Sequence, residues 1–264
     1  MFYSTLVASA IALSGQALAA NLTSTSPADV AAARNSALTL SPTSNVKGKV
    51  FDRFVTIWLE NTDYDKAASD PNLAWLAKQG ITLSNYNGVT HPSEPNYVAS
   101  IGGDNFGMDN DDFNQIPGNV SSIIDLLEDK GIAWSQYQED MPYSGFEGKA
   151  WINQQTKAND YVRKHNPAVI YDANTSADRL AKNKNLTEFY SDLEAKRLPQ
   201  WMVSDYFPPA RVLKFVTPTR LPRFSYEGRK SEHHYRSAKQ LQDSRHIQRE
   251  SQHISYLLGY YLAC

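Results

Sequence analysis

Six consecutive apolar or β-branched residues, Phe54-Val55-Thr56-Ile57-Trp58-Leu59, run straight into Glu60-Asn61-Thr62-Asp63. A run this short, without polar alternation, predicts a strand buried on both faces, as inside parallel sheets. The segments that follow keep to the same grammar. Leu73–Ala77 has a helical pattern with Gly80 as its stop, and Ile81–Tyr86 alternates like a strand. Pro95–Ile101 reads as a helix closing at Gly102-Gly103. Val120–Lys130 reads as an amphipathic helix, with Ile123, Ile124, Leu126 and Leu127 on one side and Gly131 as its stop. Ile132–Tyr137 is a further strand, and Asn185–Lys196 a helix with Leu193 on its apolar side and Pro199 beyond its end. Strands alternating with helices of these lengths predict an α/β fold, a mostly parallel sheet flanked by helices. Ligands of such sheets sit at the carboxyl ends of the strands, here the loops after Leu59 and Tyr86.

The 264 residues, 41% hydrophobic, suffice for one sizeable α/β domain. A net charge of −2 gives no electrostatic basis for a nucleic-acid partner. The charge is uneven. Residues 203–264 hold 10 Lys and Arg against 5 Asp and Glu, whereas the whole chain holds 26 against 28. Residues 1–20 have the form of a secretory signal peptide, with an apolar stretch from Leu6 and the cleavage pattern Ala17-Leu18-Ala19. That stretch is too short to span a bilayer, and no stable membrane anchor is expected. A secreted, extracellular protein follows, with N-glycans expected at the sequons of Asn21, Asn119, Asn174 and Asn185. Cys264 stands alone and closes no intramolecular disulfide.

Two short motifs carry the chemistry. Glu60 and Asn61, at the end of the first strand, offer hard oxygen donors of the kind that divalent cations favour, and they equally suit a plain polar cap. In Thr90-His91-Pro92-Ser93-Glu94-Pro95-Asn96-Tyr97, Ser93 stands where a helix N-cap belongs, with Pro95 in the first turn. A helix N-terminus attracts phosphate, and a serine hydroxyl there can attack phosphorus if a cation lowers its pKa. Asn96 is a candidate donor to a phosphoryl oxygen, and His91 a candidate to contact phosphate or protonate the leaving oxygen. The same residues also fit a capped helix with a surface histidine.

Taken together, Phe54–Asp65, His91–Asp104 and Asn119–Gly131 resemble the phosphoesterase family, which includes fungal secreted acid phosphatases and bacterial phospholipases C within the alkaline-phosphatase superfamily. The resemblance is strongest to the fungal acid phosphatases and covers roughly Lys49 to Met202. It implies an alkaline-phosphatase-like core, a divalent metal ion of unknown identity and phosphate-ester small molecules as substrates. By position it makes Ser93, His91 and Asn96 catalytic, with Glu60 and Asn61 on the metal side. It implies hydrolysis of phosphate monoesters. A phosphodiesterase or phospholipase C-type hydrolase and an inactive truncated product remain alternatives.

Relatives in this superfamily complete the metal site with Asp and His residues from strands in their second half, and no such strand is evident after Met202. His233, His234, His246 and His253 sit among charged and polar residues without an apolar run before them. Val203-Ser204 can be encoded GT(A/G)-AGT, the form of an intron start, so a frame change near Met202 is expected. The chain then divides into a signal peptide (1–20), a flexible arm (21–49), the N-terminal part of a phosphoesterase domain (50–202) and an aberrant tail (203–264), with the C-terminal half missing.

Overall fold

A computed structural model of the chain describes residues 23–60, 63–83 and 86–206. Asn61, the signal region, the Asn21 sequon, the four late histidines and Cys264 all lie outside the described residues.

In chain order the helices are α1 (Pro27–Ser36), α2 (Tyr64–Ser69), α3 (Pro71–Ala77), α4 (Glu94–Gly102), α5 (Ile123–Asp129), α6 (Pro167–Ile170), α7 (Ala177–Leu180) and α8 (Thr187–Glu194). The strands are β1 (Phe54–Leu59), β2 (Trp134–Gln138), β3 (Ala150–Ile152), β4 (Asn159–Val162), β5 (Asn183–Asn185) and β6 (Trp201–Tyr206). Four of these make one parallel sheet in the order β1-β6-β2-β5, while β3 and β4 form a separate antiparallel pair. The α/β class with helices flanking a parallel sheet is therefore what the chain adopts.

Register decides which side chains share a face. Trp58 pairs with Asp205, and Asp205 pairs with Gln138. Directly paired residues point to the same side of a sheet. Trp58, Trp134, Trp201 and Val203 thus join one core, closed by Tyr97, Val98 and Ile101 of α4, Ile124 and Leu127 of α5, and Ile170 of α6. On the other face Tyr137 is buried and donates its hydroxyl to Asp192 of α8 at 2.8 Å. Asp192, not Leu193, is the buried residue of that helix, because it also pairs with the buried Lys184 of β5.

Local signals set the helix ends. Ser122 and Asp125 form a reciprocal capping box, so α5 starts at Ile123 and not at Val120. Gly103 closes α4 in the left-handed region, at φ 79°.

Three expectations are corrected. Ile81–Leu83 form no strand: Ile81 is 87% and Leu83 65% exposed, with no described strand pairing with them. β1 is not buried on both faces. Among the described residues only Trp58 is buried in it, because β1 is the outermost of the described strands and borders a cavity of about 1370 Å³ that also reaches Leu73, Ile101 and Leu127. The segment expected as a loose arm carries α1, whose Val30 enters a second core with Met141, Tyr143, Phe146 and Tyr161. Further along it, Ser44 Oγ donates to Gln200 Oε1 at 2.6 Å and Leu40 N–H to Ala181 O at 2.8 Å.

β6 runs four residues beyond Met202 and is central among the described strands, between β1 and β2. Among the described residues, no helix is long and apolar enough to cross a membrane. Of the three sequons described, Asn119 is exposed. The Asn185 side chain donates to Met141 O at 2.7 Å. Asn174 is 2% exposed, between Ser122 and Arg179, which leaves no room for a glycan on the folded chain.

Candidate active site at the carboxyl ends of the strands

Glu60 leaves the carboxyl end of β1 and is buried. Its Oε1 lies 2.8 Å from Nε2 of His165, and His165 Nδ1 lies 3.6 Å from Oδ2 of Asp205 near the end of β6. Tyr97 of α4 completes the cluster: its hydroxyl donates to Asp205 Oδ1 at 2.8 Å. The Tyr97 ring stacks on Trp58 at 4.3 Å and on His165 at 4.9 Å. The carbonyl of His165 accepts from Gln138 Nε2 at 3.3 Å, and the next residue, Asn166, is bound by Gln136 and Tyr161.

Burial disfavours charge on the imidazole, but the Asp205 and Glu60 carboxylates outweigh it and push His165 up to about 9. The ring is thus an imidazolium at neutral pH, set between two carboxylates. The Tyr97 phenol is pushed well up, first by burial and then by the Asp205 and Glu60 charges, so it stays a donor.

Ser93 belongs to the same helix as Tyr97, one turn earlier. Its backbone is already helical (φ −68°, ψ −48°) and its side chain makes no capping bond. Helical residues four apart share a face, so Ser93 stands on the side of α4 that meets Trp58, His165 and Asp205. Ser93 is partly buried.

The first three residues of α4 have no spare amide to give a phosphate, contrary to the expectation drawn from helix ends. Glu94 N–H donates to Asp111 Oδ1 at 2.9 Å, Pro95 has none, and Asn96 N–H donates to Ser93 O at 3.0 Å. Asn96 is itself buried and holds the preceding loop. Its Oδ1 accepts from Val89 N–H at 2.7 Å and Thr90 N–H at 3.3 Å, while its Nδ2 donates to Thr90 O at 2.8 Å and Pro92 O at 3.0 Å. A Cβ on Gly88 would stand 3.1 Å from Asn96 Oδ1, so the loop closes tightly there. His91, in this loop, is exposed.

The donors around Glu60 are of the right kind for a divalent cation, two carboxylates and an imidazole. Among the described residues, which leave out Asn61, they do not gather into a cation site. Glu60 and Asp205 face the same imidazolium, and among the described residues no three His, Cys, Asp or Glu side chains converge on a common point.

The sequence reading brought out Glu60 and Ser93 but not His165, Asp205 or the role of Tyr97. Asp205 had a signal: Trp201-Met202-Val203-Ser204-Asp205 repeats the pattern of β1, an apolar run ending in a carboxylate. His165 had none, because a single histidine between Lys164 and Asn166 reads as a solvated turn.

A profile of the Phosphoesterase family matches residues 46–243. The chain is 60% identical over 162 residues to an acid phosphatase of Aspergillus fumigatus, covering 61% of this chain and 36% of that protein. It is 58% identical over 176 residues to a phosphate-repressible acid phosphatase of Penicillium chrysogenum, covering 66% of this chain and 42% of the relative. With an acid phosphatase of Aspergillus niger it shares 52% identity over 196 residues, 72% of this chain and 46% of the relative. The matches thus take in less than half the length of each of these curated relatives.

Proposed function

Because the chain belongs to the phosphoesterase family, we propose that it hydrolyses phosphate monoesters, with the Ser93 hydroxyl as nucleophile. The observation that carries this reading is the helical relation of Ser93 to Tyr97: a hydroxyl with no capping bond shares a helix face with the phenol that reaches the Glu60–His165–Asp205 cluster.

Ser93 Oγ attacks phosphorus as its proton leaves to solvent. The bond from phosphorus to the leaving alkoxide then breaks, with His91 protonating that oxygen and taking a proton back from solvent. Water attacks the resulting phosphoserine, breaks its O–P bond, and releases phosphate with the hydroxyl restored. Asn96 serves by shaping the loop between Gly88 and Ser93. Its amide reaches a phosphoryl oxygen only by giving up Thr90 O or Pro92 O. The assignment of Glu60 and Asn61 to a divalent cation rests on the resemblance alone, and no step above runs through it. Calorimetric titration of Mg2+, Mn2+ and Zn2+ into the protein and into Glu60→Gln tests it, and equal heats from both proteins end it.

The names of the three curated relatives, all acid phosphatases, support phosphate monoesters over diesters as the substrate class. The apolar segment and Ala17-Leu18-Ala19 support secretion. The deciding experiment is turnover of p-nitrophenyl phosphate and bis(p-nitrophenyl) phosphate by the purified chain and by Ser93→Ala. Monoester turnover that vanishes in the variant supports the reading. Turnover that survives removes Ser93, a preference for the diester moves the substrate class, and no turnover by the unaltered chain assigns it to the inactive alternative.

A further inference from the structure

Glu94 follows the proposed nucleophile directly and is fully buried, at 0% exposure. Its backbone is fixed, the N–H donating to Asp111 Oδ1 at 2.9 Å, but neither oxygen of its side chain has a hydrogen-bond partner. The charged groups facing it come from two elements. Arg163 and Lys164 stand in the 3-10 turn after β4, and Asp111 in the loop after α4. Both cations make other contacts, although the buried Nε of Arg163 has no hydrogen-bond partner. Arg163 donates to Asn114 O at 2.6 Å and Val169 O at 2.8 Å and lies over the Phe113 ring, while Lys164 pairs with Asp111. The Asn114 amide lies near the carboxyl group and donates to Asn110 Oδ1 at 2.9 Å.

We propose that Glu94 is a positioning residue, which keeps the turn bearing Ser93 in place as the neutral acid and loosens that turn when it ionises. The inference rests on the assignment of Ser93 as nucleophile, and gives that site an upper pH limit. An unpaired carboxylate in a buried place is costly, and the protein relieves it by letting water in or by moving the group. Moving it means opening the first turn of α4, because Glu94 is the first residue of that helix. Ser93 moves with it. Burial is the leading influence on the acid and pushes it up to about 7, against weaker opposing pulls from Asn114, Arg163 and Lys164; Asp111 adds to the rise.

The test compares the unaltered chain with Glu94→Gln, the uncharged isostere, from pH 5 to pH 9. Two readouts are taken: p-nitrophenyl phosphate turnover, and amide hydrogen exchange of residues 93–97 corrected for its intrinsic pH dependence. With a pKa of about 7, the neutral fraction falls about tenfold between pH 6 and pH 8. The ratio of Glu94→Gln turnover to that of the unaltered chain should rise by about that factor. Protection of residues 93–97 should fall over the same range in the unaltered chain and hold in the variant. Parallel exchange profiles in the two proteins overturn the proposal whatever turnover does. If Ser93→Ala leaves turnover intact, the nucleophile assignment fails and the exchange profiles alone judge Glu94. If the glutamine variant does not fold, the unaltered chain decides: protection that stays flat through pH 7 ends the proposal, and a fall centred there sustains it.

Discussion

His165 Nε2 lies 2.8 Å from Glu60 Oε1, and both side chains are buried. This contact joins the turn after β4 to the carboxyl end of β1, and through Asp205 to β6. It also offsets part of the buried negative charge, since one imidazolium stands between two carboxylates that have left water. Removing one member of a buried charged network costs more than an exposed pair contributes, because the remaining charge has no counterpart. His165→Phe retains a ring to stack on Tyr97 and removes the charge. The expected loss is about 3–5 kcal/mol, read from urea unfolding at neutral pH. Adding Glu60→Gln to His165→Phe should recover part of that loss, since the two sites are coupled. Strictly additive losses would show that the contact is incidental.

Ser93 should separate stability from activity. An N-cap serine that bonds the helix end is worth about 1 kcal/mol, but the Ser93 side chain makes no such bond. Ser93→Ala should therefore stay within about 0.5 kcal/mol of the unaltered chain in urea unfolding. Monoester turnover should fall by on the order of 10³-fold or more. A stability loss near that of a true cap would mean that the hydroxyl is spent on the helix in solution.

Asn96 should behave in the opposite way. Its amide accepts from two backbone N–H groups and donates to two carbonyls of the loop between Gly88 and Ser93. Asn96→Ala leaves those groups to find new partners, at a cost of about 2–4 kcal/mol. Limited proteolysis should then cut between residues 88 and 93 before the rest of the chain unfolds. Resistance equal to the unaltered chain would show that the loop holds without the amide.

How far the sequence could be read depended on how local each signal was. The run Phe54–Leu59 and the stop at Gly103 gave β1 and α4 nearly to the residue, because both depend on the immediate chain. The alternation read at Ile81 misled because it describes a strand only if a neighbour pairs with it, and no described strand pairs with Ile81–Leu83. The arm before Lys49 looked structureless because Val30 is the one deeply buried apolar side chain among its described residues, and bonds to Ala181 and Gln200, far away in the chain, hold the stretch that follows. Within the site, Glu60 and Ser93 stood in legible places, the end of a strand and the start of a helix. His165 did not, since it enters the cluster only through the register that sets Asp205 opposite Trp58.

Glu128 gives the fold an acid limit away from the site. Its Oε1 accepts from Trp134 Nε1 at 2.9 Å and Lys182 Nζ at 2.7 Å, and its Oε2 from Arg179 Nη2 at 2.7 Å. The carboxylate thereby ties α5 to β2 and to the turn around α7. Burial works to raise its pKa, but the bonds from Lys182, Trp134 and Arg179 win and hold it down at about 2, against an ordinary 4.5. A carboxyl lowered on folding stabilises the folded state fully above its unfolded value and loses that contribution as pH falls through the folded one. The window runs from about pH 4.5 down to about pH 2. The thermal midpoint should fall across it. Glu128→Gln should start lower at pH 7 and fall less steeply between those limits. The group is partly open to solvent, so 0.5 M NaCl should narrow the difference between the two proteins. Equal slopes at low salt would mean that the three donors do not hold the carboxylate in solution.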